Sequence, residues 1–152
     1  MSTIQDQFNF VKAEGWLPFF AAASIKENIP LEILLAVASR ETNCKNLIGD
    51  HGHGHGICQI DDRWHKDFLD KHNNGLDPES NINYAATLLA SNLRSSKGDL
   101  FMAVAGYNAG LGNVRKAINQ GHSAEFYTTG KDYASDVLNR ARQFKILLDK
   151  TT

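Results

Sequence analysis

Three carboxylates, Glu41, Asp50 and Asp61, are gathered in one short piece of chain around a glycine- and histidine-rich loop, Gly49-Asp50-His51-Gly52-His53-Gly54-His55-Gly56. One carboxylic acid that donates a proton, with a second carboxylate that can hold a water, is the minimum equipment for inverting glycoside hydrolysis. Glu41 has the setting of a proton donor. It follows an apolar run, Ile33-Leu34-Leu35-Ala36-Val37-Ala38, close to where a helix should end. The helix macrodipole puts partial negative charge there, and apolar neighbours add desolvation; both disfavour the ionised carboxylate and raise its pKa. An acid kept neutral near physiological pH can serve as a general acid. The plainer reading is a solvated glutamate paired with a lysine such as Lys45, and the helix alone does not choose between the two. Gly49, Gly52, Gly54 and Gly56 permit positive φ and close approach of backbone to a ligand. Such a loop could aim Asp50 and Asp61 at one pocket; alternatively, both aspartates only brace it through backbone hydrogen bonds.

The elements that must position these groups are mostly helices. Ile29 precedes a proline and is biased away from helix, whereas Pro30 suits a first helical position. Leu31, Leu34, Leu35 and Ala38 recur at i, i+3, i+4 and i+7, with further apolar residues between them. The helix carrying Glu41 is therefore covered on nearly all sides. Ahead of it, residues 3 to 28 read as one or two helices broken near Gly15 and Pro18. A short strand or two falls around Ile57 to Ile60, and Arg63 to Lys71 form a short helix before a turn at Asn73-Asn74-Gly75. Asp77 and Pro78 supply the N-cap and first turn of a helix with Ile82, Ala85, Ala86, Leu89 and Leu93 on one face. Asp99 caps the next helix and Gly110 ends it. A short helix covers Asn113 to Asn119, and the last one carries Tyr133, Val137, Ala141, Phe144 and Leu148 along one stripe. No repeat, low-complexity tract or linker divides the chain. The expected fold class is mainly α. It is one domain over residues 1–152, long enough to bury ~70% of its unfolded surface. A glycine-rich catalytic loop and at most a very small β-hairpin or sheet interrupt the helices.

Four motifs then occur in order: Ser39-Arg40-Glu41, Gly56-Ile57-Cys58-Gln59-Ile60-Asp61, Gly106-Tyr107-Asn108-Ala109-Gly110 and Asp132-Tyr133-Ala134-Ser135-Asp136-Val137. On these the chain resembles the goose-type lysozymes, over about Ile29 to Lys145. The related soluble lytic transglycosylases share the first three motifs in looser form, as a Glu, then Gly-Leu-Met-Gln, then Ala-Tyr-Asn-Ala-Gly. Asp50 and Asp61, with the glycine-rich spacing between them, resemble the goose-type branch. The resemblance implies a lysozyme-like fold and a peptidoglycan muramidase. Such an enzyme hydrolyses the β-1,4 bond between N-acetylmuramic acid and N-acetylglucosamine with inversion. Glu41 would protonate the glycosidic oxygen, and Asp50 and Asp61 would position and deprotonate the water. By the same resemblance Gln59, His65, Tyr107, Asn108 and Tyr133 shape the cleft, with Trp64 as a packing neighbour of His65. Without it, Tyr107 and Asn108 read as helix-end packing and capping groups, and Tyr133 as a core residue whose hydroxyl could also reach the acid. The runner-up is a lytic transglycosylase, in which the substrate's own hydroxyl attacks and leaves a 1,6-anhydro sugar. A non-catalytic wall-binding protein is a third reading, against which Glu41 and both aspartates argue. The chain departs from the family pattern at Ile57-Cys58 (usually Leu-Met), Thr42 (Ser) and Gly106 (Ala), and in a stretch between Glu41 and Asp50 shorter than in avian members. None of these removes a catalytic group.

Charge and composition exclude other classes. Sixteen Lys plus Arg against seventeen Asp plus Glu leave a net charge of −1, without the basic excess of a nucleic-acid binder. No apolar run approaches the length of a membrane span. Met1-Ser2-Thr3-Ile4-Gln5-Asp6-Gln7 lacks the basic and apolar regions of a secretory leader. The route to a wall outside the cytoplasm is thus open; an endolysin released through a separate pore, a toxin injected by a secretion machine and a chain trimmed of its leader all fit. His51, His53 and His55 alternate, so in an extended loop all three would face one way, as zinc requires. No fourth ligand or orienting group accompanies them, so they read as polar surface or substrate-facing groups, and no metal or cofactor is expected. Cys44 and Cys58 flank the loop. Two cysteines permit one disulfide, but spacing does not show that their Cα atoms come close enough. They do not resemble the disulfide framework of secreted vertebrate goose-type lysozymes, so free thiols are expected. The expected partners are peptidoglycan glycan strands and, from the resemblance, a proteinaceous lysozyme inhibitor. The chain itself reads as a monomer.

Overall fold

The computed structural model describes residues 2–151. Two helices form the N-terminal stretch, α1 (Ile4–Ala13) and α2 (Leu17–Glu27). A capping box starts α1: Thr3 Oγ1 accepts from the Asp6 amide at 3.0 Å, and Asp6 accepts from the Thr3 amide at 3.1 Å. Pro18 lies in the first turn of α2, where a missing N–H is harmless. The break is therefore made by Gly15, at φ 78°.

Helix α3 (Leu31–Thr42) starts one residue past the proline. Pro30 is extended (φ −54°, ψ 134°) and acts as N-cap, its carbonyl accepting from Ile33 and Leu34, rather than as the first helical residue. Every residue from Ile33 to Ser39 is buried, as the apolar run predicts. The helix ends on Asn43 in the left-handed region (φ 56°), a conformation asparagine adopts more readily than most residues. Glu41 is thereby fixed in the last turn.

The loop after α3 folds into a three-stranded antiparallel sheet of two-residue strands, β1 (Ile48–Gly49), β2 (Gly54–His55) and β3 (Ile60–Asp61), in the order β1-β2-β3. Ile48 pairs with His55, and His55 with Ile60. The strand expected at Ile57 to Ile60 is displaced. Ile57 to Gln59 instead turn the chain from β2 into β3, through left-handed Gly56 (φ 80°) and Gln59 (φ 53°). A side chain at Gly56 would collide with Asn81 Nδ2 and the Gly75 carbonyl, so only glycine fits there.

Helix α4 (Lys66–Lys71) begins at Lys66 rather than Arg63. The intervening residues are tied back to β3: the Trp64 and His65 amides donate to the Asp61 carbonyl at 3.3 and 3.0 Å. Asp77 Oδ2 caps α5 (Pro78–Ser95) by accepting from the Ser80 amide at 3.0 Å. Buried Asn81 on α5 holds the sheet in place. Its Nδ2 donates to the His55 and Gly75 carbonyls at 2.8 and 2.9 Å, and its Oδ1 accepts from the Cys58 amide at 2.9 Å. Asp99 caps α6 (Leu100–Ala109) in the same way as Asp77 caps α5. Gly110, at φ 80°, ends α6 and at once begins α7 (Leu111–Asn119), so α7 starts ahead of the expected Asn113. The last helix is α8 (Tyr133–Lys150).

Helix α3 lies at the centre, packed along α8 and against α2 and α5. The Phe8 and Phe144 rings meet edge to face, centroids 6.4 Å apart, and close α1 onto α8. The architecture is mainly helical with one small sheet, a lysozyme-like arrangement. Among the described residues no helix is long and apolar enough to cross a membrane.

Candidate active site

A cleft of about 680 Å³ opens where the end of α3, the sheet, the end of α6 and the start of α8 converge. All eight residues expected at the site line it: Glu41, Asp50, Gln59, Asp61, His65, Tyr107, Asn108 and Tyr133. The carboxyl of Glu41 is pushed up from 4.5 to about 7, chiefly by burial. A hydrogen bond from Tyr133 and the charge of Arg40 oppose that rise, and the Asp50 carboxylate adds to it. The partner of Glu41 is Tyr133, whose hydroxyl donates to Oε2, and not Lys45. Tyr133 is itself 1% exposed, so the core role and the contact with the acid belong to one side chain.

A partly buried polar network sets Tyr133 over Glu41 by locking the end of α3 to the start of α8. Arg40 donates to Asp136 Oδ2 at 2.9 Å, to Asp132 Oδ1 at 3.2 Å and to the Thr129 carbonyl at 3.0 Å. Asp136 Oδ2 also accepts from Arg140 Nε at 2.8 Å, and Arg140 Nη1 donates to Ser39 Oγ at 2.8 Å. Ser39 passes the chain of bonds to Gln7 Oε1 on α1 at 2.5 Å. The Arg40 guanidinium further lies 5.1 Å from the Tyr133 ring centre.

Asp50 and Asp61 face each other across Arg63. Asp61 accepts at Oδ1 from the Arg63 amide (2.8 Å) and Nε (3.0 Å), and at Oδ2 from Nη2 (2.6 Å). Arg63 beside it holds the Asp61 carboxyl below the usual carboxylate range. Asp50 is more open and meets Arg63 through Oδ2 alone, at 3.2 Å. It sits in the left-handed region (φ 50°), as does His51 (φ 54°). Aspartate and histidine are both among the residues enriched there, and backbone of this kind is common at functional sites.

The remaining residues are held as much as they line. Gln59 braces the sheet, its Nε2 donating to the Leu47 and Gly56 carbonyls at 3.1 and 3.0 Å. The Tyr107 hydroxyl donates to the Cys58 carbonyl at 2.6 Å. Asn108 grips the loop before α8, accepting from the Thr129 amide at 2.9 Å and donating to Thr129 Oγ1 at 3.2 Å. His65 Nδ1 lies 2.8 Å from the Tyr84 hydroxyl, and burial lowers its pKa. Its packing neighbour is Tyr84, while Trp64 stands 81% exposed.

The histidine-rich loop is not extended, so its three histidines do not share one face. Asp50 to Gly52 form a tight 3₁₀ turn, and the next two histidines converge on a carboxylate. His53 Nδ1 lies 2.8 Å from Asp62 Oδ1 and His55 Nε2 lies 3.3 Å from Oδ2, with His55 Nδ1 on the Asn74 carbonyl at 2.8 Å. Among the described residues no group of three His, Cys, Asp or Glu side chains is arranged to hold a metal ion. Cys44 and Cys58 are buried free thiols.

Several residues of the site carried no assigned role in the sequence. Asp136 and Arg140 sit beside the apolar stripe of α8, four positions apart, where a charged pair usually reads as solvated surface. Arg63 follows Asp61 so closely that its return onto that carboxylate shows only in three dimensions. Asn81, among the polar residues of α5, gives no sign of burial in the sequence. A model of the family described as "Transglycosylase SLT domain" matches residues 18–129. The chain is 30% identical over 126 residues to lysozyme g of Gallus gallus, covering 74% of this chain and 56% of that protein. Lysozyme G of Dromaius novaehollandiae gives the same identity over 126 residues, with 57% of that protein covered. The match thus spans little more than half the length of these relatives. On the family model's match over most of its length, the chain belongs to the transglycosylase SLT domain family, within the lysozyme-like superfamily.

Proposed function

We propose that this chain cleaves the glycan strand of peptidoglycan, as a muramidase hydrolysing the β-1,4 bond between N-acetylmuramic acid and N-acetylglucosamine. The observation that carries the reading is Glu41: a carboxyl raised to about 7 in the wall of an open cleft, able to hold a proton for the leaving oxygen. As the proton leaves, the carboxylate that forms accepts a charge-assisted hydrogen bond from Tyr133. That bond is stronger in the transition state than in the ground state, which is the condition for it to speed the reaction. Of the two aspartates, Asp50 is the better water-holder, because a single bond to Arg63 leaves it free to accept another. Asp61, engaged through both oxygens, fixes Arg63 and with it the place of Asp50. Water delivered from the face opposite Glu41 gives inversion. The protein acts as a monomer on wall outside the cytoplasm.

One observation favours a second reading. Arg63 pairs with both aspartates and holds the Asp61 carboxyl below the usual carboxylate range, which weakens Asp61 as a base. A lytic transglycosylase needs no such base, since its nucleophile is already on the sugar. Mass spectrometry of digested peptidoglycan tests the choice. The muramidase gives products ending in reducing muramic acid, whereas a digest dominated by 1,6-anhydro ends replaces that reading with the transglycosylase. Either reaction is lost in Glu41→Gln, so a folded Glu41→Gln protein that clears wall suspensions at the parent rate overturns both.

A further inference from the structure

The rim of the cleft between β3 and α4 carries a large side chain that the fold does not use. Trp64 is 81% exposed, although it lines the same cleft as Glu41. The other tryptophan, Trp16, packs against the core and meets the Phe10 ring at 5.6 Å. A tryptophan is seldom left so open, and its broad apolar face with one polar edge is a frequent contact group at binding surfaces. The backbone beneath it is held firmly. Asp61 accepts from the amides of Trp64 and His65 and from the side chain of Arg63, and His65 is anchored on Tyr84. A ring presented on a fixed turn loses little freedom when a ligand covers it.

The neighbouring charges define the ligand. Arg63 is already neutralised by Asp50 and Asp61, so this rim offers an apolar plane edged by hydrogen-bonding groups rather than a free cation. A pyranose ring has the matching form, with C–H bonds on its face and hydroxyls around its edge. We propose that Trp64 is a stacking platform for a hexosamine ring of the glycan strand, a binding subsite additional to the groups around Glu41. The proposal rests on the glycan-cleaving reading above.

The test uses the Glu41→Gln protein, which cannot cleave, and N-acetylglucosamine hexamer as probe. Binding should quench and shift tryptophan fluorescence, a signal lost when Trp64→Ala is added. The hexamer affinity measured by calorimetry should fall about tenfold, as for one aromatic contact. Trp64→Phe should keep most of the affinity because an aromatic face remains. Equal affinity in all three proteins overturns the platform while leaving glycan cleavage by the parent intact. Failure of every protein to bind the hexamer, with no wall cleavage by the parent, overturns both readings. A dimer seen by sedimentation without sugar and abolished by Trp64→Ala would give the indole to a second copy, and this also overturns the proposal.

Discussion

An acid held neutral by burial makes the folded chain sensitive to pH, and Glu41 does so with a definite sign. Below 4.5 both the folded and the unfolded chain carry its proton. Between 4.5 and about 7 the folded chain keeps it and the unfolded chain has lost it. Folding stability therefore falls as pH rises through that window, by up to about 3 kcal/mol. Glu41→Gln removes this penalty. Urea melts should find it more stable than the parent above about pH 8 and close to it near pH 4; an equal difference at both pH values would contradict the burial. Tyr133 acts on the same proton in the opposite sense, since its hydrogen bond lowers the pKa of Glu41. Tyr133→Phe should move the alkaline limb of the pH–activity profile above its parent position near 7 while activity drops about tenfold. An unmoved limb would mean that the hydroxyl serves packing alone. The burial that raises Glu41 was legible in part, in the apolar run ahead of it. The helix alone did not separate a neutral acid from a solvated glutamate, because Tyr133 and the rest of the covering come from distant chain. Arg63 was not legible, because its importance lies in which carboxylates it reaches.

At the scale of elements, the pairing of α3 with α8 keeps the acid and its tyrosine together. Asp136 is the joint: its one oxygen accepts from both Arg40 and Arg140. Asp136→Ala leaves two partly buried guanidinium groups without this acceptor. The loss should be about 2 kcal/mol of stability, less than for a fully buried network because all three side chains keep some exposure. Activity measured well below the melting range should fall further than stability explains, since Tyr133 loses its fixed approach to Glu41. A drop in stability with unchanged kcat would confine Asp136 to structure. Helices were read well from the sequence because their caps and stripes are local: Asp77, Asp99 and the Val137–Ala141–Phe144 stripe stand where the spacing places them. The very small sheet was expected, but its strand positions were missed for a physical reason. Strands of two residues are too short to show alternation, and their register is set by Gly56 closing against Asn81 and Gly75, contacts that span far along the chain.

The whole molecule offers a way to see its cleft move. Cys58 lies beneath the cleft, its carbonyl accepting from Tyr107 and its thiol raised far above the ordinary range by burial and by Glu41. Cys44 is packed between α1 and α3, near the Gln7 side chain and the Leu35 carbonyl, with its thiol pushed up to about 12 by burial. Neither sulfur can react with an alkylating reagent until the chain around it opens and the thiolate forms. The two thiols are thus clocks set to different events. Cys58 should be labelled when the small sheet lifts, a local opening with weak dependence on urea. Cys44 should wait for α1 and α3 to part, and its labelling rate should follow urea as steeply as global unfolding does. If both sulfurs label at one rate with one urea dependence, the sheet and the helical core open as a single unit, and under the proposed function a glycan strand would enter a cleft that has no local opening of its own.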